Sequence, residues 1–149
     1  MIPARMIRAL KQEIEEAVKD YRLLAEGQEE KKVTVYAQHI PDERFVDDTY
    51  YPLVIASVQK VEDKETGDSV ATVGLTIGVY GADEDAWMDL LSIMERIRQR
   101  LLEKRLIDKR YSLELPSEWE TIESQPYPFW FGYGTLKYRI AHPLDRRGC

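Results

Sequence analysis

The stretch Ser69–Tyr80, SVATVGLTIGVY, leaves the chain little conformational choice. Val73, Leu75, Ile77 and Val79 alternate with Thr72, Gly74, Thr76 and Gly78. An extended chain sends the first set to one side and the second to the other. The segment therefore reads as a strand with one apolar face and one small-residue face. Glycine weakens a strand interior, so two on one face signal a close approach to the backbone. Thr72, Gly74, Thr76 and Gly78 are accordingly candidates for contact with another subunit, with solvent exposure or a local bulge as the plainer explanation.

An apolar sheet face needs a cover, and two segments have the period to supply it. Pro3 suits a first helical turn, and Ile7, Leu10, Ile14, Ala17, Val18, Tyr21 and Leu24 follow at helical spacing, with Gly27 as a stop. The first helix is expected over Pro3–Glu26. The second starts after Asp83, carries Glu84 and Asp85 in its first turn, and ends near Lys104 and Arg105. Its stripe is Trp87, Leu90, Leu91, Met94, Ile97, Leu101 and Leu102.

Further strands are expected at Val33–Ile40, Leu53–Val58, Arg110–Leu115, Glu118–Glu123 and Gly134–Ala141. Leu53–Val58 is apolar on both alternating faces and reads as buried on both. PDERFVDDTYYP, between the first two strands, reads as a surface loop, and KETGDS as a hairpin turn. The order α-β-β-β-α-β-β-β implies an α+β domain of two layers, a mainly antiparallel sheet with two helices packed on one face. One domain accounts for residues 1–149, with 144–149 as a frayed tail.

Composition removes several functions. No apolar run approaches the roughly 20 residues that cross a bilayer, and MIPARMIRALKQEIEEA lacks the core of a signal peptide. A cytoplasmic site of synthesis is expected, with no membrane partner. One cysteine, Cys149, excludes an internal disulfide and a cysteine metal cage. A net charge of −6 opposes a surface that grips phosphates, though nucleic acid could pass without being held.

Chemistry is sparse. His39 and His142 each stand beside a proline with no partner at a defined spacing, so no metal, cofactor or nucleophile system is expected. GVYG and GYG lack the lysine and spacing of a phosphate loop. Glu118 and Glu120 share one face of a strand, which is ordinarily the solvated one. No catalytic residue is expected. QPYPFWFGYG, Gln125–Gly134, packs five aromatic rings and two prolines into an extended turn that leads to the last strand. So short a turn has too little underside to hide every ring. Tyr127, Phe129, Trp130, Phe131 and Tyr133 are therefore part core plug and part docking surface.

From about Leu53 to Pro143 the chain resembles the tail terminator (tail completion) proteins of long-tailed bacteriophages. The likeness rests on GLTIGVYG, DEDAWMDLLSIMERIRQRLLEKR, LELPSEWE and QPYPFWFG in that order. Ala86 departs from the glycine of many relatives, and LDRRGC has no counterpart. The resemblance implies a non-enzymatic virion component with a sheet covered on one side by helices. It would close as a hexameric ring on the tail tube, stop tube polymerisation and offer its other face to the head-side connector. The tube protein, the connector and other copies of the chain are then its partners, and the neck end of the tail is its location. DNA would slide through the ring, and Asp42, Glu43, Asp47 and Asp48 are candidates for an acidic lumen. The aromatic turn and the PDERFVDDTYYP loop would grip the tube. A head-closure or head–tail adaptor protein is the alternative.

Overall fold

The structure, a computed structural model, describes residues 2–38, 48–65 and 67–140. Two helices and six strands follow one another as α1 (Ile2–Val18), β1 (Thr34–Ala37), β2 (Leu53–Glu62), β3 (Ser69–Tyr80), α2 (Glu84–Glu103), β4 (Leu106–Ile107), β5 (Tyr111–Thr121) and β6 (Phe129–Ile140). The strands form one sheet in the order β1-β2-β3-β6-β5-β4.

The fold is α+β, and its sheet is mixed. β1 runs parallel to β2, whereas β2–β3, β3–β6, β5–β6 and β4–β5 are antiparallel. Side-chain alternation has the same period in both arrangements, so the sequence could not register the parallel pair. The β1–β2 connection is long enough to bring the chain back to the same end of the sheet, as a parallel pair requires.

β3 has the predicted bounds, and Val73, Leu75, Ile77 and Val79 are buried together with Val54, Ala56, Leu136 and Tyr138. The same core takes Met6, Leu10 and Ile14 from α1 and Leu90, Ile93 and Ile97 from α2. Glu13 of α1 lies between the helices, its carboxylate receiving Arg100 at 2.8 Å and Lys104 at 2.8 Å. Burial alone would raise the Glu13 pKa, but these two cations outweigh it and hold the carboxyl below the usual range.

Several boundaries differ from expectation, among them β2, which runs on to Glu62 where Val58 was expected, and β1, which covers only Thr34–Ala37. α1 stops at Val18 rather than Glu26 because the following chain is taken over by Asp89 of α2. That buried carboxylate accepts the Tyr21 hydroxyl at 2.6 Å, the Leu24 N–H at 2.8 Å and the Ala25 N–H at 2.9 Å. An extended segment is needed to present two consecutive amides to one acid. Leu24, expected to point inward, is exposed, and Leu23 and Ala25 are buried instead. Gly27 does adopt a left-handed φ of 81°, but in the turn beyond this segment. Burial, and then the bond to Asp89, pushes the Tyr21 hydroxyl pKa up to about 12.

β5 is a single strand where two were expected, with a register shift between Glu114 and Glu118 around Pro116. The two-residue strand β4 carried no period long enough to detect. β6 begins at Phe129, so half of the aromatic turn is strand. Gln125 prepares that start, since its side-chain oxygen accepts the Phe131 N–H at 2.8 Å and its amide donates to the Phe131 carbonyl at 3.0 Å.

Three measurements check this framework. Asp89→Ala leaves three donors, two of them buried, without their acceptor, and a loss of about 3–5 kcal/mol is expected in chemical denaturation. Amide exchange at Leu24 and Ala25 should quicken more than exchange in β3. Glu13 has a depressed pKa, so its contribution is complete above the unfolded value and is lost as pH falls through the folded one. Between about pH 5 and pH 3 the unchanged protein should therefore lose more stability than Glu13→Gln.

Candidate functional site

Strand registers settle which side chains share a face. Tyr36, Ile55, Thr76, Tyr133 and Glu120 form one row across the sheet, and Thr34, Leu53, Gly78 and Phe131 form part of the next row along this face. Both rows lie opposite Val73, Leu75 and Ile77. This second face carries its own apolar cluster, in which buried Tyr51 and Leu53 meet Tyr36, Tyr50, Ile55, Tyr80, Phe129 and Phe131. Tyr51 lies 5.0 Å from Phe129 and 5.9 Å from Phe131 between ring centroids, and Tyr80 lies 5.2 Å from Phe129. Burial, with Tyr133 nearby, raises the Tyr51 hydroxyl pKa. The result is an aromatic shelf at one end of the sheet, most of whose rings are half-buried.

The five aromatic candidates thus separate. Phe129, Phe131 and Tyr133 stand on the shelf side. Trp130 points the other way, packs against the main core, and donates its indole N–H to the Gly81 carbonyl at 2.9 Å. Tyr127 is 63% exposed and meets Trp130 edge-on at 6.3 Å, with its hydroxyl donating to the Ala82 carbonyl at 3.1 Å. Strand alternation explains the division, which a turn reading of QPYPFWFGYG could not anticipate.

The glycine signal has a cause inside the chain. A Cβ at Gly78 would come within 2.6 Å of the Tyr51 ring, and one at Gly74 would run into the Gln59 amide. Thr72 is buried and Thr76 half-buried. Tyr50 and Tyr51 belong to the segment read as a surface loop, yet Tyr51 is buried as the lid over Gly78. Of the acidic candidates, Asp42, Glu43 and Asp47 lie outside the described residues, as do His39, His142 and the 144–149 tail. Asp48 opens a short 3₁₀ turn, Asp48–Tyr50, and its side chain is also outside the description.

A second apolar surface was missed by the sequence reading. Trp87, Met88 and Leu91, two of them assigned to the α2 core stripe, are more than two-fifths exposed. Ala86, Ile93 and Asp89 are buried instead. Leu91, Met94, Glu95 and Arg98 form one wall of a groove of about 500 Å³, and Trp119, Glu120 and Thr121 of β5 form the other. The Trp119 indole N–H is buried with no partner among the described residues. Glu118 and Glu120 are exposed on the shelf side of β5. Among the described residues no three His, Cys, Asp or Glu side chains converge as metal ligands, and no helix is long and apolar enough to cross a membrane.

No protein-family model matches the chain, and no curated protein matches it. Among solved structures, the chain is similar to one from the "Virion of native gene transfer agent (GTA) particle", at 10% identity and a TM-score of 0.40, covering 91% of this chain and 96% of that one. At that identity and score the likeness leaves the function open.

The lid arrangement makes one expected outcome concrete. Gly78→Ala should cost about 1–3 kcal/mol, because two rings must shift to admit a methyl group. Adding Tyr51→Ala should remove the larger part of the Gly78 cost in a double-mutant cycle of unfolding free energies, leaving the part due to Phe131.

Proposed function

We propose that this chain is a structural virion protein that caps the end of a phage tail tube as a ring, stops tube growth and presents a joining surface to the head-side connector. The observation that carries the reading is the aromatic shelf. Phe129 and Phe131, from the very block that resembles tail terminators, and Tyr133 just after it stand with Tyr36, Tyr51 and Tyr80 on the sheet face turned from the main core. Half-buried rings with polar tips suit a protein contact better than a small-molecule pocket.

We assign the shelf and exposed Tyr127 to the axial contact with tube or connector. The glycines of the Thr72, Gly74, Thr76 and Gly78 stripe admit Gln59 and Tyr51, so in this reading the stripe shapes the shelf and does not itself receive a neighbouring subunit. Both helices are taken to cover the opposite face, in keeping with the core that they share with β3. DNA passes through the ring unheld, consistent with the net charge of −6.

Polymerising a phage tail-tube protein with and without this chain tests the proposal. Tubes should be shorter and capped at one end in its presence, and unchanged lengths would remove the terminator role. Retention on DNA-filled heads in place of isolated tails would favour the adaptor alternative. Tyr127→Ala should leave the unfolding midpoint close to that of the unchanged protein while weakening capping. Trp130→Ala should cost about 1–3 kcal/mol of stability, since its half-buried ring packs against the core.

A further inference from the structure

The sheet does not close on itself, and its two edges are unlike. At one edge, β1 spends the N–H groups of Thr34 and Gln38 on the Pro52 and Ala56 carbonyls. In a parallel pair alternate residues face the partner, so the N–H and C=O groups of Val35 and Ala37 point away from β2. At the other edge, β5 meets β4 only through Tyr111 and Ser112. Arg105 then closes this side at Leu113, its carbonyl accepting the Leu113 N–H at 2.8 Å and its guanidinium donating to the Leu113 carbonyl at 2.9 Å. Beyond that point the edge is open. Phe131 of β6 turns its N–H and C=O to Gln125, on the β5 side, so Gly132 and Gly134 turn theirs to β3. Their opposite residues, Thr121 and Trp119, therefore face away from β6. No hydrogen bond from a described residue reaches Val35, Ala37, Trp119 or Thr121 on these outer sides.

These four residues lie in two common rows. One row runs Val35, Val54, Ile77, Gly132, Thr121, and the other runs Ala37, Ala56, Leu75, Gly134, Trp119. The open groups of both edges are thus level with one another. β1 and β5 also run in opposite directions, as the chain of one parallel and three antiparallel pairings requires. A second copy turned about an axis along the strands brings its β1 beside β5 as an antiparallel neighbour, without sliding along the strand. Charge agrees with that fit. The β5 edge carries exposed Glu118 and Glu120 and is followed by Glu123, and Lys32 leads into β1.

We propose that β1 of one copy pairs with β5 of the next, Val35 opposite Thr121 and Ala37 opposite Trp119. The contact covers the groove behind β5, including Leu91, which is 44% exposed in the single chain. It is a head-to-tail contact between different edges, so it propagates and closes when the turn per copy permits. This inference rests on the ring reading and gives that ring its lateral contact.

The pairing places Tyr36 opposite Glu120 as a non-hydrogen-bonded pair, with Cα atoms about 4.5 Å apart, a separation a disulfide spans. The full chain with Cys149→Ser and the pair Tyr36→Cys, Glu120→Cys should give, under mild oxidation, a covalent ladder that ends in one closed species. The pair Tyr36→Cys, Glu118→Cys, which is out of register, should link about tenfold less. Thr34→Cys with Ile122→Cys repeats the test at exposed Thr34, should Tyr36→Cys disturb the shelf. Linking no better than the out-of-register control, in both pairs, overturns the edge pairing and leaves the ring reading to the tube-length experiment. An in-register ladder that never closes upholds the edge pairing and overturns the ring.

Discussion

β3 is the element on which the rest of the molecule depends. It is paired with β6 from Ser69 to Tyr80 and with β2 over nearly the same length, so its backbone is satisfied on both sides. Its register also fixes which way every neighbouring side chain points. A slip of one residue would send Val73, Leu75, Ile77 and Val79 to the shelf and the threonines and glycines into the core. The apolar set is completely buried, which makes such a slip prohibitive and gives the sheet two faces of settled character. Everything assigned to function here, the shelf on one face and the groove beside the helices on the other, inherits its position from that register.

The period of β3 was plain in the chain because both faces repeat over a full strand. The same holds for the buried side of α2, where Leu90, Met94, Ile97 and Leu101 recur at helical spacing. Asp89 shows where such reading ends. It interrupts the apolar stripe as an acid, and its burial depends on the Tyr21 hydroxyl and two amides, donors more than sixty residues away. Periodicity around Tyr21 and Leu24 resembled a continuing helix, yet the local pattern was overruled by one carboxylate that gained a full set of donors. A buried acid without them would be costly. The helix end and the acid therefore stabilise each other, and neither is legible alone.

The aromatic decade was legible in kind but not in direction. Its rings are divided between shelf and core because the strand starts at Phe129, and that start is set by the Gln125 side chain acting as a substitute strand. Gln38 plays the corresponding part at the far edge, where its side-chain oxygen accepts the Val58 N–H at 2.8 Å beyond the end of β1. Side-chain amides at these two places, with the Arg105 guanidinium at Leu113, satisfy edge backbone that no strand covers. Their presence is informative because an edge groomed in this way is left open only over a short span. Val35, Ala37, Trp119 and Thr121 mark that span, and the paired registers that align it cannot be read from residue types.

The energetics of such an edge contact fit a protein that assembles where a template waits. Each hydrogen bond exchanged with water contributes only about 0.5–1.5 kcal/mol, and the two rows proposed for the contact supply few of them. Covering Leu91 and the wall of the groove adds the worth of one buried apolar side chain, about 1.5–3 kcal/mol. Free association costs on the order of 4–15 kcal/mol in lost translation and rotation, which leaves little or nothing over for a ring in dilute solution. In the proposed role a tube end would change the balance, because copies docked through the shelf would already be held side by side and the lateral contact would become intramolecular in effect. Under that proposal weak edges and a broad axial surface would be two parts of one arrangement, in which closure follows docking and stray rings do not compete with it.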